Sequence, residues 1–325
     1  MTDPDTPPSD DSPDEVGSPS EAPDAPDAEL VDPSGPADGG PPDPGAGRTA
    51  DGPDEPPEAD ADQLREKLLT VGVASGLGFG ALVVSFGIIL PLFLLVTWLE
   101  VPIPDAPLAL ISFELFVGQV IGMGGLSALY LWYTGRGIEY VSIRRPTLIE
   151  TAIIVAAPFG IIFVTATISQ LSMFLGVEPS EHALGALGDI DPTLYLYLIP
   201  LVIFIVGPFE ELLYRGVVQS RLRESFGAAA AIALASLVFA LIHIPAHGFG
   251  GAGIAATAAS MTALFGGSLV FGAIYEYTEN LTVVALIHGF YDAILLALLY
   301  VVTVYGPEIQ ELAEEAEQAV VLVGL

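Results

Sequence analysis

Eight ionisable residues lie within or at the ends of strongly apolar stretches of this chain; two of them, Glu114 and Glu150, stand apart, and the other six form a pattern. These six are Glu210, Glu211, Arg215, His243, His288 and Asp292. Such groups are costly in hydrocarbon and mark functional positions by default. A glutamate and a histidine that face a common cavity can deprotonate a water, and a second histidine can stabilise or protonate the resulting species. The set therefore predicts a hydrolytic site inside an apolar bundle.

The first segment carries two adjacent acids and a base. Arg215 follows Glu211 by four residues, so the two share one helix face and can neutralise each other. Glu210 is turned about 100° away from Glu211 and is free to face another neighbour. We therefore expect Glu210 to be the chemically active acid of the pair.

The other two segments carry the histidines. Phe239 and His243 are four residues apart, and so are His288 and Asp292. Residues at this spacing share a helix face. Three apolar segments thus each offer a polar face that can turn towards a common centre.

These motifs resemble those of the CPBP family of intramembrane CAAX prenyl endopeptidases and bacteriocin-processing enzymes. The family carries EExxxR, FxxxH and HxxxN in that order, and the resemblance covers residues 148–305. It implies that Glu210 and His243 activate the attacking water. It also implies that His288 and residue 292 hold the oxyanion. This chain departs from the family pattern at Asp292, because an ionised Asp offers only acceptors where Asn offers an amide donor.

The same resemblance gives Glu211 and Arg215 a supporting, structural role. It implies a membrane-associated peptide or protein as substrate, either a prenylated C-terminal peptide or a leader peptide. Glu, His and His are also legitimate ligands of a catalytic zinc ion. The HExxH pattern is absent, however, and metal-free, glutamate-dependent hydrolysis is the favoured hypothesis, with no cofactor and with zinc as the alternative.

A membrane-crossing helix needs about 20 mostly apolar residues. The chain offers seven such spans: Val71–Trp98, Leu108–Thr134, Leu148–Gly176, Tyr195–Gly216, Ala228–Ile244, Ile254–Tyr275 and Leu281–Tyr305. The second contains a lone acid, Glu114, which is either functional or a helix-packing group. The fifth is short, and we expect the fourth to kink at Gly207-Pro208. The predicted fold is an all-α, polytopic transmembrane helix bundle of about seven spans.

Charge is segregated along the chain. Of the 325 residues, 40 are acids and 9 are Lys or Arg, for a formal net charge of −31, yet the mean hydropathy is +0.62. Residues 1–62 hold 19 of the acids and 15 of the 27 prolines. Such a segment buries nothing and repels itself, which predicts a disordered acidic tail. Residues 63–147 then form N-terminal spans, 148–305 the protease-like core and 306–325 an acidic C-terminal tail.

The composition excludes several classes of protein. An ordinary water-soluble globule does not have these apolar runs, and the absence of a basic patch excludes a nucleic-acid partner. The absence of cysteine excludes disulfide scaffolds, thiolate zinc sites and cysteine catalysis. The partners that remain are the lipid bilayer and a membrane-associated substrate.

All nine bases fall on one side of a seven-span chain. Because positive residues mark the cytoplasmic side, we expect a multi-pass protein of the cell membrane with a cytoplasmic N-terminus.

Two other functions fit the buried polar groups. A transporter uses buried carboxylates and histidines as proton relays, although no repeated half with broken helices is evident. A non-catalytic membrane protein of the immunity type is the other alternative.

Overall fold

A computed structural model describes residues 57–102, 106–248, 251 and 253–323. Every regular element in these ranges is a helix, which confirms the predicted all-α class. Residues 1–56, which make up most of the acidic tail, lie outside the described ranges.

Seven principal helices follow one another along the chain. They are α1 (Pro57–Trp98), α2 (Pro107–Tyr133), α3 (Leu148–Phe174), α4 (Thr193–Arg223), α5 (Ala228–Ile242), α6 (Ile254–Thr278) and α7 (Leu281–Val323). All but α5 are long and apolar enough to cross a membrane. Three wider π-helical stretches lie within α2 and α4, at Phe116–Gly124, Val202–Val206 and Leu212–Gln219.

Two boundaries differ from the predicted segments. Helix α1 begins at Pro57, inside the segment 1–62, because proline suits the first position of a helix and the next residues include good helix formers, glutamate and alanine. Helix α7 continues through Pro307 to Val323, so no helix end separates the core from the segment 306–325.

The loops after α2 and α4 meet the start of α7 on one face of the bundle, which we call the basic face. Arg136 forms an ion pair with Glu224, and Arg144 donates to the Thr278 carbonyl oxygen at 2.6 Å. Because α3 runs from this face to the opposite one and α4 runs back, the bundle has two distinct ends.

Glu224 is the centre of an ionic network on the basic face. Burial opposes its charge, but hydrogen bonds from Arg136, Tyr140 and Arg221 hold the pKa of Glu224 below its usual range. The network joins the α2–α3 loop to the end of α4.

The opposite face is closed by contacts between the loop before α4 and the first turns of α6. The Ser180 amide donates to the Ala256 carbonyl at 3.2 Å, and the hydroxyls of Ser180 and Ser260 lie 2.9 Å apart. The chain therefore leaves the basic face at α5 and reaches the opposite face before α6. The short helix α5 makes this crossing together with the following turn, Ile244–Gly248, so the fifth predicted span crosses in two pieces.

Helices α4 and α7 cross with their backbones in close contact. A Cβ placed on Gly207 would lie 2.7 Å from the Ala285 carbonyl oxygen, and one on Gly289 would lie 2.6 Å from the Ile203 Cα. Small residues permit this kind of approach between membrane helices. The predicted interruption at Gly207-Pro208 is a change from π- to α-helical turns, with Pro208 in the first turn of the new segment.

The two-face arrangement predicts opposite accessibility for two exposed loop positions. The chain has no cysteine, so Glu139→Cys on the basic face and Ala183→Cys on the opposite face can each be labelled without background. In sealed vesicles, an impermeant maleimide will label the two variants from opposite sides. Val141→Cys is the matched control, because Val141 is fully buried and will react only after denaturation. Labelling of both loop positions from the same side would contradict the topology.

Candidate active site

Three helices bring the six predicted site residues into one buried cluster. Helix α4 contributes Glu210, Glu211 and Arg215, the residue after α5 is His243, and α7 contributes His288 and Asp292. The Gly207–Gly289 crossing lies beside the cluster and sets the separation of α4 and α7.

Glu210 lies between the two histidines. Its Oε2 is 4.0 Å from the Nε2 of His243 and 3.7 Å from the Nε2 of His288. These separations exceed a direct hydrogen bond but can be bridged by one small polar molecule such as water. The three atoms therefore outline a polar centre inside an apolar bundle.

The backbone of α5 selects the tautomer of His243. The Nδ1 of His243 lies 2.8 Å from the Phe239 carbonyl oxygen. Because a carbonyl oxygen only accepts, Nδ1 carries the proton, and a neutral ring then has its lone pair on Nε2. That lone pair belongs to the nitrogen nearest Glu210. The spacing of Phe239 and His243 thus orients the ring through the main chain of residue 239.

Glu211 and Arg215 form the predicted pair, and the structure extends it. Arg215 Nη1 donates to Glu211 Oε1 at 2.8 Å, and Nη2 donates to the Ser268 hydroxyl at 2.8 Å. The guanidinium also packs over the rings of Phe239 and Phe271, which are 4.9 and 5.2 Å away. Such stacking suits Arg better than Lys. Arg215 is thereby paired, hydrogen-bonded and stacked in a fully buried position.

The same Glu211 oxygen also holds the second histidine of the cluster. Glu211 Oε1 is 2.7 Å from the Nδ1 of His288, so the pair of acids in α4 acts on both sides of this ring. The spacing of Glu211 and Arg215 predicted their pairing but not this third partner. Glu211 therefore orients His288 as well as balancing Arg215.

Three carboxylates surround the His288 ring. Asp292 Oδ2 lies 3.6 Å from Nε2, on the same side as Glu210, while Glu211 is on Nδ1. The ring thus has carboxylate oxygens near both of its nitrogens. A doubly protonated ring has a donor at each nitrogen, so Nε2 can donate while Nδ1 stays bonded to Glu211.

One neighbour of Glu210 was missed by sequence reasoning. The Nε2 of Gln119, in α2, donates to Glu210 Oε1 at 2.9 Å, and the pair is buried. The candidate from the same helix was Glu114, whose side chain is exposed on the bundle surface. The only sequence signal for Gln119 was a polar amide within the apolar run Phe116–Gly124, and an amide in such a run points to function less strongly than a charged group does.

The donor types of the cluster fit zinc, since one carboxylate and two imidazoles are common ligands. Yet among the described residues no group of three His, Cys, Asp or Glu side chains is arranged to hold a metal ion. The imidazole Nδ1 atoms are bonded to the Phe239 carbonyl and to Glu211, as the outer partners of metal-binding histidines often are. The side-chain types of the cluster are therefore compatible with a zinc ion, but no set of three metal ligands is found among the described residues.

Two more histidines lie near the cluster on the opposite face. The rings of His182 and His247 meet edge to face with centroids 4.8 Å apart. Burial, together with nearby His247 and His243, lowers the pKa of His182 to about 4. The His182 ring is thus neutral at pH 7 and adds no charge near Glu210.

The buried Arg215–Glu211 pair predicts a large stability difference between two arginine variants. Arg215→Met removes the arginine partner of the buried Glu211, and removal of one partner of a buried pair costs about 3–5 kcal/mol. Arg223→Met removes a more exposed arginine paired with Glu276 at 2.9 Å, which contributes about 1 kcal/mol or less. Thermal and denaturant unfolding of the detergent-solubilised variants measures both. Equal, small losses would contradict the role of Arg215.

Comparison with known proteins supports the interpretation of the motifs over part of the chain. Residues 192–294 match the family model of the type II CAAX prenyl endopeptidase, Rce1-like. No curated protein and no solved structure matches the chain. The matched segment contains the three motifs but not Gln119. Residues 192–294, the segment that carries the three motifs, are thus similar to the Rce1-like type II CAAX prenyl endopeptidases, as the motifs predicted.

Proposed function

We propose that this protein is an intramembrane endopeptidase that hydrolyses a peptide bond with water activated by Glu210 and His243. The observation that carries the proposal is the convergence of Glu210 Oε2 on both histidine Nε2 atoms, at 4.0 and 3.7 Å. The Rce1-like match over residues 192–294 supports the same class of reaction.

The geometry supports different roles for Glu210 and His243 in binding and deprotonating the water. Glu210 Oε2 and the His243 Nε2 lone pair both face the central gap, so a water there donates one hydrogen bond to each acceptor. Transfer of its proton to the carboxylate makes it a nucleophile for the scissile carbonyl carbon. Glu210 then returns the proton to the leaving nitrogen.

His288 is placed to stabilise the oxyanion. With Nδ1 bonded to Glu211, a charged His288 has its second N–H at Nε2, which lies 3.7 Å from Glu210 Oε2 and faces the same gap. A preorganised donor of this kind contributes about 3–4 kcal/mol in other enzymes. Asp292 stabilises the charge on His288 and does not replace the amide donor of Asn.

We propose hydrolysis without a metal or other cofactor. The support is that Glu210 Oε2 and His243 Nε2 suffice as the two acceptors of a water. The alternative, in which zinc is held by Glu210, His243 and His288, is tested by chelation.

The substrate class follows from the setting of the site. A site enclosed by membrane helices suits a peptide held at the bilayer, and the matched family is named for prenylated peptides. We propose a prenylated C-terminal peptide as the substrate, and a leader peptide is the comparison substrate in any assay.

The distribution of bases supports an orientation in the cell membrane. The basic face carries Arg65, Lys67, the bases of the loop after α2 and those of the last turn of α4, and we therefore place it in the cytoplasm together with the N-terminus. In intact cells, the impermeant maleimide would then reach Ala183→Cys and not Glu139→Cys.

Loss of either water-binding group will abolish turnover. We expect Glu210→Gln and His243→Ala to lose at least about a hundredfold in kcat, because each removes a proton acceptor. Purified variants are assayed against a prenylated peptide and a leader peptide, with melting temperature reporting folding. Glu114→Gln is the matched control, since Glu114 is exposed and has no part in the proposed mechanism.

Near-normal turnover by folded Glu210→Gln would overturn the mechanism. Uptake of a solute that depends on Glu210 without cleavage would favour a transporter. Loss of turnover in a chelator, restored by added zinc, would move the mechanism to the metal-bound alternative.

Replacement of Asp292 will alter the pH profile more than the maximum rate. We expect Asp292→Asn to keep substantial activity, because Asn supplies a neutral donor beside His288. Since the variant lacks the negative charge 3.6 Å from Nε2, the imidazolium will be lost more easily. Activity should therefore fall at lower pH than in the wild type, as measured by kcat over pH. A folded but fully inactive variant would instead identify Asp292 as a metal ligand or proton acceptor.

A further inference from the structure

A single amide from α2 holds the oxygen of Glu210 that does not face the histidines. Gln119 Nε2 is 2.9 Å from Glu210 Oε1, whereas Oε2 is the atom near His243 and His288. Carboxylate oxygens compete for protons, and a donated N–H bond makes the bonded oxygen the weaker base. The two oxygens of Glu210 are thus chemically unequal.

We propose that Gln119 is a positioning residue, acting by occupying Oε1 so that Oε2 receives the proton of the water; this role rests on the proposed peptidase function. A free carboxylate could rotate about its terminal torsion, which is broad and roughly two-fold. With Oε1 anchored, rotation would break a charge-assisted hydrogen bond. Oε2 therefore stays directed at the gap between the two imidazoles.

The local structure of α2 brings Gln119 to this position. Gln119 lies in the π-helical stretch Phe116–Gly124, and such wide turns shift the side chains after them onto a different helix face. Gly124 packs directly on Phe209, since a Cβ there would lie 2.7 Å from the ring. Helix α2 is therefore in contact with the helical turn that carries Glu210.

The chain contains a second buried glutamine with a different partner. Gln219 Nε2 donates to the Gly272 carbonyl oxygen at 3.0 Å, so it ties α4 to α6 and contacts none of the ionisable cluster. Gln119 and Gln219 each also bury an Oε1 without a partner among the described residues. Both amides are buried, and each donates one hydrogen bond through Nε2. They differ in the acceptor, because only Gln119 donates to a group of the proposed reaction.

This pair defines the experiment. Gln119→Met keeps the length of the side chain and removes its donor, and Gln219→Met does the same at the control position. We expect Gln119→Met to lower kcat by at least about tenfold with KM changed by less than about twofold, because the lost bond acts on the chemical step. Gln219→Met will lower the melting temperature with kcat near that of the wild type.

Gln119→Asn is the second variant, and it tests the same hydrogen bond in case the Met substitution prevents folding. It retains the amide but is shorter by one methylene, so it cannot reach Oε1 and will also lose kcat. A folded Gln119→Met or Gln119→Asn protein with the kcat of the wild type would overturn the positioning role. An equal loss of kcat in Gln219→Met would show a merely structural effect. Wild-type protein without Glu210-dependent cleavage would instead overturn the proposed function itself.

Discussion

The contact between the backbones of α4 and α7 is the constraint on which the site depends. Gly207 and Gly289 allow an approach at which any side chain would collide with main-chain atoms. Only at that distance does Glu211, one turn beyond Gly207, reach His288, the neighbour of Gly289, within 2.7 Å. Two residues without side chains thus decide whether two functional side chains can meet.

A chain of charges runs outward from this crossing. Arg215 is bonded to Glu211, Glu211 to His288, and His288 faces Asp292 and Glu210. Each buried charge has an opposite or polar partner, as burial in a low-dielectric bundle requires. Oε2 of Glu210 has no direct hydrogen-bond partner among the described residues and faces the two imidazoles. Oε2 of Glu211 is also buried without a partner in the described part of the chain.

Sequence reasoning identified the local features of the site. Hydropathy revealed the helices because a span must be apolar, and spacing paired Glu211 with Arg215 because residues four apart share a helix face. The bond from Glu211 to His288 and that from Gln119 to Glu210 depend on how helices are rotated against each other, which spacing within one helix does not encode. The choice of Glu114 over Gln119 shows the difference, since charge is conspicuous in a sequence and an amide is not.

The dependence of the site on α7 also has a consequence for the order of assembly. Glu210 and His243 precede α7 in the chain, whereas His288 arrives with it. During synthesis, the earlier helices therefore enter the membrane without the residue that completes the cluster. The polar cluster is therefore complete only when α7 docks against α4. Insertion of the last membrane helix is thus the step at which the cluster gains its second imidazole.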